Sequence, residues 1–264
     1  MRTLAIVVAL SLAFLAHWRT SFSPDVIAAP MFSVCEEASF PIDQNYSFLG
    51  KGRQSFAFLS ADGKTVLKFF NKDYFQMPWY SFALPDKEAE LKKRQLRKKY
   101  FSEGYLIAEK FLSQQTGLLY VHYGQTKKLP KVKVKDQANR TFIIDLNYVP
   151  FVLQKKGDPI CSSLQLIYET KGKEALLIAI DEYLEILHLR ISLGIADGDH
   201  DIKHNYGFLE GKPFHLDPGR LYFRDLADLN SLRHEWWVGT HQLRKWLNQQ
   251  YPNIVPEEKW NPSF

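Results

Sequence analysis

The fold is decided by residues 194–205 (GIADGDHDIKHN), a short apolar stretch that leads into a polar loop with three aspartates. Twelve positions beyond this stretch stands Asp217, in the turn at residues 215–219 (HLDPG). Residues 206–216, between the loop and the turn, hold a Glu-Gly pair between two apolar segments, which predicts a short β-hairpin. The sequence therefore predicts an acidic loop, a hairpin and an Asp-x-Gly turn in succession.

Helices are predicted on both sides of this region. Before the loop, residues 173–193 carry apolar side chains at spacings of 4, 3 and 4, which form one stripe on a helix: Ile180, Leu184, Leu187 and Ile191. After the turn, a final helical region is predicted over about residues 226–250. The C-terminal part of the chain is therefore expected to be mostly helical.

The N-terminal part is predicted to form strands around one helix. Asp62-Gly63 stands between two β-type runs, which is a strong hairpin signal. Residues 86–116 lack proline, are rich in helix formers and end at Gly117, which predicts a helix with a glycine stop. The predicted strands cover residues 46–50, 54–60, 64–70, 118–122, 131–135 and 141–153.

A glycine-rich turn at residues 50–57 (GKGRQSFA) joins two of these strands. A dinucleotide-binding or Walker-type loop opens a helix. A glycine-rich loop inside a β-hairpin instead covers phosphates from above. Gly50, Gly52 and Ser55 are therefore candidates for nucleotide contact, although a tight hairpin without a ligand would also explain them.

Lys68 lies within an apolar strand segment, residues 66–69 (VLKF). Because an unpaired buried ammonium is strongly destabilising, this side chain must face a cleft or solvent. Two glutamates on the predicted helix are candidate partners. Glu109 flanks the apolar stripe of that helix, which comprises Phe101, Tyr105, Ala108 and Leu112. Glu103 instead precedes a small residue, Gly104, some turns before the helix ends. The two criteria conflict, so both glutamates are retained.

In their order along the chain, the motifs of residues 46–220 resemble those of the protein-kinase-like superfamily, and are closer to its compact, divergent members. The resemblance implies a bilobal α+β fold, with an N-lobe of antiparallel sheet plus one helix at residues 31–154 and a reduced helical C-lobe at residues 155–264. Residues 151–157 (FVLQKKG) resemble the hinge whose backbone meets adenine, which makes Gln154 a candidate for cofactor binding.

The resemblance assigns a phosphate and metal site residue by residue. Lys68 would contact the nucleotide phosphates and pair with the helix glutamate. Asp217 resembles the aspartate of D-F-G, with Pro218 in place of phenylalanine, and Asn205 resembles the second metal ligand. ATP and Mg²⁺ are the implied cofactors.

The loop departs from the family in its spacing. The family has five positions from the catalytic aspartate to the asparagine, but Asp201 is four and Asp199 six positions from Asn205. We favour Asp201 as the base and keep Asp199 as the alternative. Lys203 would contact the γ-phosphate. His204, five positions from Asp199, is an alternative to Asn205 as a ligand.

Residues 4–16 (LAIVVALSLAFLA) form an apolar run behind a short basic start. This pattern predicts a signal peptide or an uncleaved membrane anchor within residues 1–30. The rest of the chain is then expected to work outside the cytosol, in a periplasmic, secreted or lumenal setting. There Cys35 and Cys161 would form one disulfide or none.

Composition limits the function classes. With 45% hydrophobic and 24% charged residues, the 264-residue chain is globular, and disorder, collagen and coiled coil are excluded. Two cysteines exclude a disulfide scaffold. The net charge of +5 favours an anionic partner without indicating nucleic acid. Most of the excess lies at residues 87–99, predicted as a solvated helix face, or otherwise a surface for an acidic partner or lipid headgroups.

These observations predict an ATP-dependent phosphotransferase that moves a γ-phosphoryl group to the hydroxyl of a small molecule, lipid, glycan or protein. The alternative is a pseudokinase, a nucleotide- or partner-binding module without catalysis. The shifted loop spacing and the replacement of phenylalanine by Pro218 favour that alternative.

Overall fold

The computed structural model describes residues 22–29, 35, 36, 42, 45–78, 80–226 and 228–261. The apolar run at residues 4–16 lies outside the described residues, so the signal or anchor stays a prediction. A search of the described helices for a segment long and apolar enough to cross a membrane finds none.

The structure contains strands and helices in the predicted order along the chain. The strands are β1 (Cys35–Glu36), β2 (Asn45–Lys51), β3 (Ser55–Ser60), β4 (Thr65–Phe70), β5 (Leu118–His122), β6 (Gln125–Thr126), β7 (Lys131–Lys135), β8 (Thr141–Asp145), β9 (Phe151–Lys155), β10 (Asp158–Pro159), β11 (Ile195–Asp197), β12 (Tyr206–Leu209), β13 (Lys212–His215) and β14 (Leu221–Phe223). The helices are α1 (Lys72–Phe75), α2 (Lys87–Phe111), α3 (Ser113–Thr116), α4 (Ile160–Ser192), α5 (Ile202–Asn205) and α6 (Leu229–Gln250). The predicted α+β class, a large N-terminal sheet followed by a helical C-terminal part, is confirmed.

The chain divides into two compact units, which are described separately. The first comprises Met1–Lys87 and His122–Val152, and the second comprises Glu88–Val121 and Leu153–Phe264. Helix α2, which the predicted lobe boundaries assign to the N-lobe, therefore groups with the C-terminal helices.

The first unit is built on a mixed sheet. Five of its seven strands lie wholly in this unit, in the order β4-β3-β2-β7-β8. Strands β2 and β7 are parallel, and the other neighbours in this series are antiparallel. The chain passes between the units at the remaining strands, β5 and β9.

One face of this sheet is buried by packed aromatic side chains. The ring of Phe22, which is fully buried, lies 4.7 Å from the ring of Phe58 and 5.4 Å from that of Phe56, both edge to face. Edge-to-face pairs are favoured by the ring quadrupole and add to the hydrophobic gain of burial. The hairpin predicted at Asp62-Gly63 is present, and Gly63 takes a φ of 74° that favours glycine.

The second unit is organised around α4 and α6. The predicted stripe of α4 is buried, with Ile180, Leu184, Leu187 and Ile191 in one apolar cluster with residues of α6. Gly172 interrupts α4 with φ 82° and ψ −173°, so the structure adds a helical segment at residues 160–171 that periodicity did not predict.

Helix α2 packs tightly in the second unit. The predicted apolar stripe is buried, at Phe101, Tyr105 and Ala108 of α2 and at Leu112 directly after it. The helical region stops at Gly117, whose φ of 60° is the left-handed conformation expected of a glycine stop. A Cβ on Gly104 would come within 2.8 Å of backbone atoms of Pro218 and Gly219. Glycine therefore allows α2 to approach the Asp-x-Gly turn.

Candidate functional site

The glycine-rich turn lies in the first unit, between β2 and β3. The Gly52 N–H donates to the Ser55 carbonyl at 2.8 Å, and Gly50 faces Ala57 across the ladder. Neither Gly50 nor Gly52 has a positive φ, and a Cβ on Gly50 would meet nothing within 4 Å. The hairpin itself therefore does not require glycine here. What glycine provides is a bare backbone that a ligand can approach.

Asn71, directly after β4, holds the backbone of the glycine-rich turn through hydrogen bonds. Its backbone N–H donates to the Gln54 carbonyl at 2.8 Å, and its side-chain amide donates to the Arg53 carbonyl at 3.2 Å. The Asn71 Oδ1 also accepts from the Asp73 N–H and caps α1. Sequence analysis did not identify this residue, although an asparagine at a strand end before a helix is a capping signal.

Lys68 shares a cross-strand row with the glycine-rich turn. Gly50 pairs with Ala57, and Ala57 pairs with Lys68. Directly opposed residues point to the same sheet face, which is opposite to the face sealed by Phe56 and Phe58. The partly exposed side chain of Lys68 therefore extends from the same face as the turn, beside two residues with little or no side chain.

In the second unit, the polar loop is closed by Asn205. The Asn205 side chain is buried and its Nδ2 donates to the Asp199 carbonyl at 2.8 Å. The amide oxygen of Asn205 is left as the group that can bind a cation. His204, the alternative ligand, points to Asp201 at 2.8 Å from an exposed position.

Asp201 is the N-cap of α5. Its Oδ1 accepts from the Lys203 N–H at 3.1 Å, and its Oδ2 lies 2.8 Å from His204 Nδ1. Both oxygens therefore have local partners. Lys203 is exposed on the same short helix.

Asp199 provides the backbone carbonyl that accepts the hydrogen bond from Asn205. It is partly exposed, with its Oδ2 3.7 Å from Arg220 Nε, and its backbone N–H donates to Asp197 Oδ1 at 2.9 Å. Burial lowers the pKa of the neighbouring His200, which favours its neutral form. Which of the two aspartates acts as the base stays a prediction: Asp201 caps α5, whereas Asp199 contacts Arg220.

Asp217 is brought to Asn205 by the backbone. The Leu216 N–H donates to the Asn205 carbonyl at 2.7 Å, and the Asp217 N–H lies 3.4 Å from the same oxygen. The Tyr105 hydroxyl donates to Asp217 Oδ1 at 3.0 Å. Tyr105 was predicted only as a member of an apolar stripe.

These two residues fit a magnesium ion by the chemistry of their donors. Asn205 and Asp217 offer an amide oxygen and a carboxylate, and Mg²⁺ binds through one or two such groups together with waters and phosphate oxygens. Within the described ranges, no cluster of three His, Cys, Asp or Glu side chains is arranged to hold a metal. A site with these two protein ligands needs no such cluster.

The two candidate partners of Lys68 belong to the second unit. Glu103 is 3.9 Å from Lys99 Nζ and its side chain is 45% exposed. Glu109 is exposed near the end of α2. The choice between them as the partner of Lys68 stays a prediction.

Gln154 has a structural role. Its side chain is buried, and its Nε2 donates to the Thr116 carbonyl at 2.5 Å. Any contact with adenine at this position would therefore come from the backbone. Cys161 is a free thiol, and burial raises its pKa.

A buried ion pair supports the loop, and sequence analysis did not predict it. Arg190 Nη1 donates to Glu235 Oε1 at 2.8 Å, and the same oxygen accepts from the Asp197 N–H at 3.1 Å. Arg190 also donates to the Ile195 carbonyl at 3.0 Å. Burial opposes ionisation of Arg190, but Tyr206, Asp197 and Glu235 outweigh it and raise its pKa. The available signal was an arginine three positions beyond Leu187, on the apolar face of α4.

Comparison with known proteins gives only distant similarity. No protein-family model and no curated protein matches the chain. A 2.2 Å crystal structure of WbdD is 15% identical over 81% of this chain and 43% of that chain, with a TM-score of 0.42. A structure of WbdD with the kinase inhibitor LY294002 is 17% identical over 81% and 42%, with a TM-score of 0.40. A third is described as the bifunctional kinase-methyltransferase WbdD, at 16% identity over 79% and 40% and a TM-score of 0.38.

The chain thus spans about two fifths of the length of WbdD. Similarity at this level does not identify an activity for this chain.

Proposed function

We propose that the protein is a kinase-like phosphotransferase that uses ATP and Mg²⁺ to phosphorylate a hydroxyl group. The observation that carries this proposal is the convergence of Asp199 and Asp217 on Asn205. One hydrogen bond joins Asn205 to Asp199, and a second joins it to the residue before Asp217. A base and a pair of metal ligands are the groups that phosphoryl transfer requires on the acceptor and metal side.

The phosphate side of the proposal rests on the first unit. Lys68 provides a cation, and the turn at Gly50 and Gly52 presents a main chain that no side chain at these two positions obstructs. Backbone amides and a lysine are the usual ligands of nucleotide phosphates in glycine-rich loops. Lys203, exposed beside the acidic loop, is proposed to contact the γ-phosphate.

Bound Mg²⁺ would neutralise charge on the phosphate oxygens, with Asn205 and Asp217 as its protein ligands. In the transfer, the bond between the γ-phosphorus and the β-γ bridging oxygen breaks, and a bond forms from the phosphorus to the acceptor oxygen. The acceptor hydroxyl proton passes to the carboxylate of Asp199, and ADP leaves. Asp201 caps α5 and takes no part in the proton transfer.

The acceptor is proposed only as a hydroxyl on a small molecule, lipid, glycan or protein. Export or membrane tethering is proposed on the strength of residues 4–16 alone. A reporter fused after Pro24 tests that part of the proposal, since a soluble cytosolic reporter would contradict it.

Thermal unfolding of the full chain with ATP and Mg²⁺ tests nucleotide binding. A ligand that binds only the folded protein stabilises it by about 2.7 kcal/mol at a hundredfold excess over Kd. We expect Lys68→Ala to reduce the ATP-dependent shift and Lys64→Ala, an exposed lysine at the hairpin before β4, to keep it. The absence of any shift with ATP and Mg²⁺ would contradict both the kinase and a nucleotide-binding pseudokinase.

A further inference from the structure

Asp197 is the first aspartate of the acidic loop, and the proposed reaction gives it no role. It ends β11 and is only 3% exposed. Its Oδ1 accepts the N–H of Asp199 at 2.9 Å, and its Oδ2 lies 3.5 Å from His215 Nε2. One buried carboxylate thus contacts both the residue proposed as the base and a residue of the following hairpin.

His215 connects this contact to the metal side of the site. It ends β13, two positions before Asp217, and is 1% exposed. Its ring stacks on that of Tyr206 at 4.4 Å with an interplanar angle of 7°. Tyr206 directly follows Asn205 along the chain. The Asp197 side chain therefore contacts both the Asp199 main chain and His215, at the end of the strand that leads to Asp217.

The backbone of Asp197 is fixed from the opposite side. Its N–H donates to Glu235 Oε1, which is held by the guanidinium of Arg190. Main chain and side chain of Asp197 are thus both anchored within the second unit. A merely space-filling residue would need neither the direction of Oδ1 towards the Asp199 N–H nor that of Oδ2 towards His215.

We infer that Asp197 is a positioning residue, whose two carboxylate oxygens hold the Asp199 main chain and His215 in the register that the reaction needs. This inference rests on the proposed function. The side chain acts through its hydrogen bond from the Asp199 N–H and its 3.5 Å polar contact with His215 Nε2, so an amide of the same shape can replace it. In Asp197→Asn, the amide oxygen would accept from the Asp199 N–H and the amide nitrogen would lie towards His215.

The test compares Asp197→Ala with Asp197→Asn in the full chain. Asp158→Ala is the matched control, because Asp158 is an exposed aspartate on β10, the edge strand that pairs with β12. We expect Asp197→Ala to lower kcat for ATP turnover on the order of 100-fold, since small misplacements of reacting groups have effects of this size. The KM for ATP should change little, because Asp197 contacts no proposed nucleotide ligand. Asp197→Asn should recover most of kcat.

Amide hydrogen exchange at Asp199 provides a readout without catalysis. The Asp199 N–H should exchange faster in Asp197→Ala than in the wild type and be protected again in Asp197→Asn. Wild-type kcat in Asp197→Ala, equal defects in both variants, or unchanged exchange at Asp199 would overturn the inference. A wild-type protein that binds ATP without turnover would instead overturn the proposed function, and exchange at Asp199 would still decide whether Asp197 fixes the loop.

Discussion

Asn205 Nδ2 donates to the backbone carbonyl of Asp199 at 2.8 Å, across a separation of six residues. This hydrogen bond closes the acidic loop into a ring and turns the Asn205 side chain away from solvent. It also fixes the main chain of Asp199, whose carboxylate lies 3.7 Å from Arg220 Nε. Asp201 lies between Asp199 and Asn205 along the chain, and one of its carboxylate oxygens caps α5.

The first prediction separates these two aspartates. Asp199→Asn should lower kcat by about 100-fold to 10,000-fold, the range for loss of a general base. Asp201→Asn should change kcat by less than about threefold, because asparagine caps helices as well as aspartate. Steady-state ATP turnover measures both. A severe defect in Asp201→Asn with an active Asp199→Asn would return the role of base to Asp201.

The second prediction concerns the bare backbone of the glycine-rich turn. Gly50→Ala should leave the unfolding free energy within about 0.5 kcal/mol of the wild type, because the new Cβ meets no neighbour and φ is not positive. It should weaken ATP binding, because the methyl group lies where a phosphate is proposed to approach. Urea denaturation and ATP titration test the two parts, and unchanged ATP affinity would contradict the proposed phosphate loop.

The third prediction concerns the close approach of α2 to the Asp-x-Gly turn. In Gly104→Ala, the Cβ would lie 2.8 Å from main-chain atoms that cannot rotate away. An overpacking penalty of about 1–3 kcal/mol should exceed the gain of about 1 kcal/mol from helix propensity. We therefore expect lower stability by urea denaturation, with Gly50→Ala as the matched control. A more stable Gly104→Ala would show that α2 can shift without loss.

The fourth prediction is a pH dependence from Asp197. Burial raises the pKa of its carboxyl from 3.8 to about 7. The folded state therefore holds a proton that the unfolded state has released between these values, and stability falls as pH rises through this window, by up to about 1.4 kcal/mol per pH unit. Asp197→Asn does not titrate at this position, so its stability relative to the wild type should rise from pH 5 to pH 8. A difference that is constant with pH in urea denaturation would contradict the raised pKa.

The parts of the fold set by local patterns could be predicted from the sequence. The Asp62-Gly63 hairpin, the glycine stop at Gly117 and the stripe of α4 follow from turn chemistry and periodicity, which act over a few residues. The extra helical segment at residues 160–171 was missed because Gly172 breaks the periodic pattern.

The arrangement of the candidate site could not be predicted from local sequence patterns. Counting positions back from Asn205 could not distinguish Asp199 from Asp201, because the choice depends on how the loop folds over the Asn205 side chain. The partnership of Arg190 with Glu235 joins residues 45 positions apart, and no spacing rule predicts such a pair. Predicting that Lys68 lies in one cross-strand row with Ala57 and Gly50 would have required the register of three strands.

The central claim is that Asp217 holds the metal for phosphoryl transfer from ATP, and Asp217→Asn tests it most directly. Transfer of labelled γ-phosphate, to the protein itself or to water, would be measured in the full chain with ATP and Mg²⁺. Asp158→Asn, an exposed aspartate at the edge of the hairpin, is the control. The account predicts turnover in the wild type and in Asp158→Asn, and a loss of at least about 100-fold in Asp217→Asn. Wild-type turnover in Asp217→Asn would contradict the metal site, and ATP binding without turnover in the wild type would establish the pseudokinase instead.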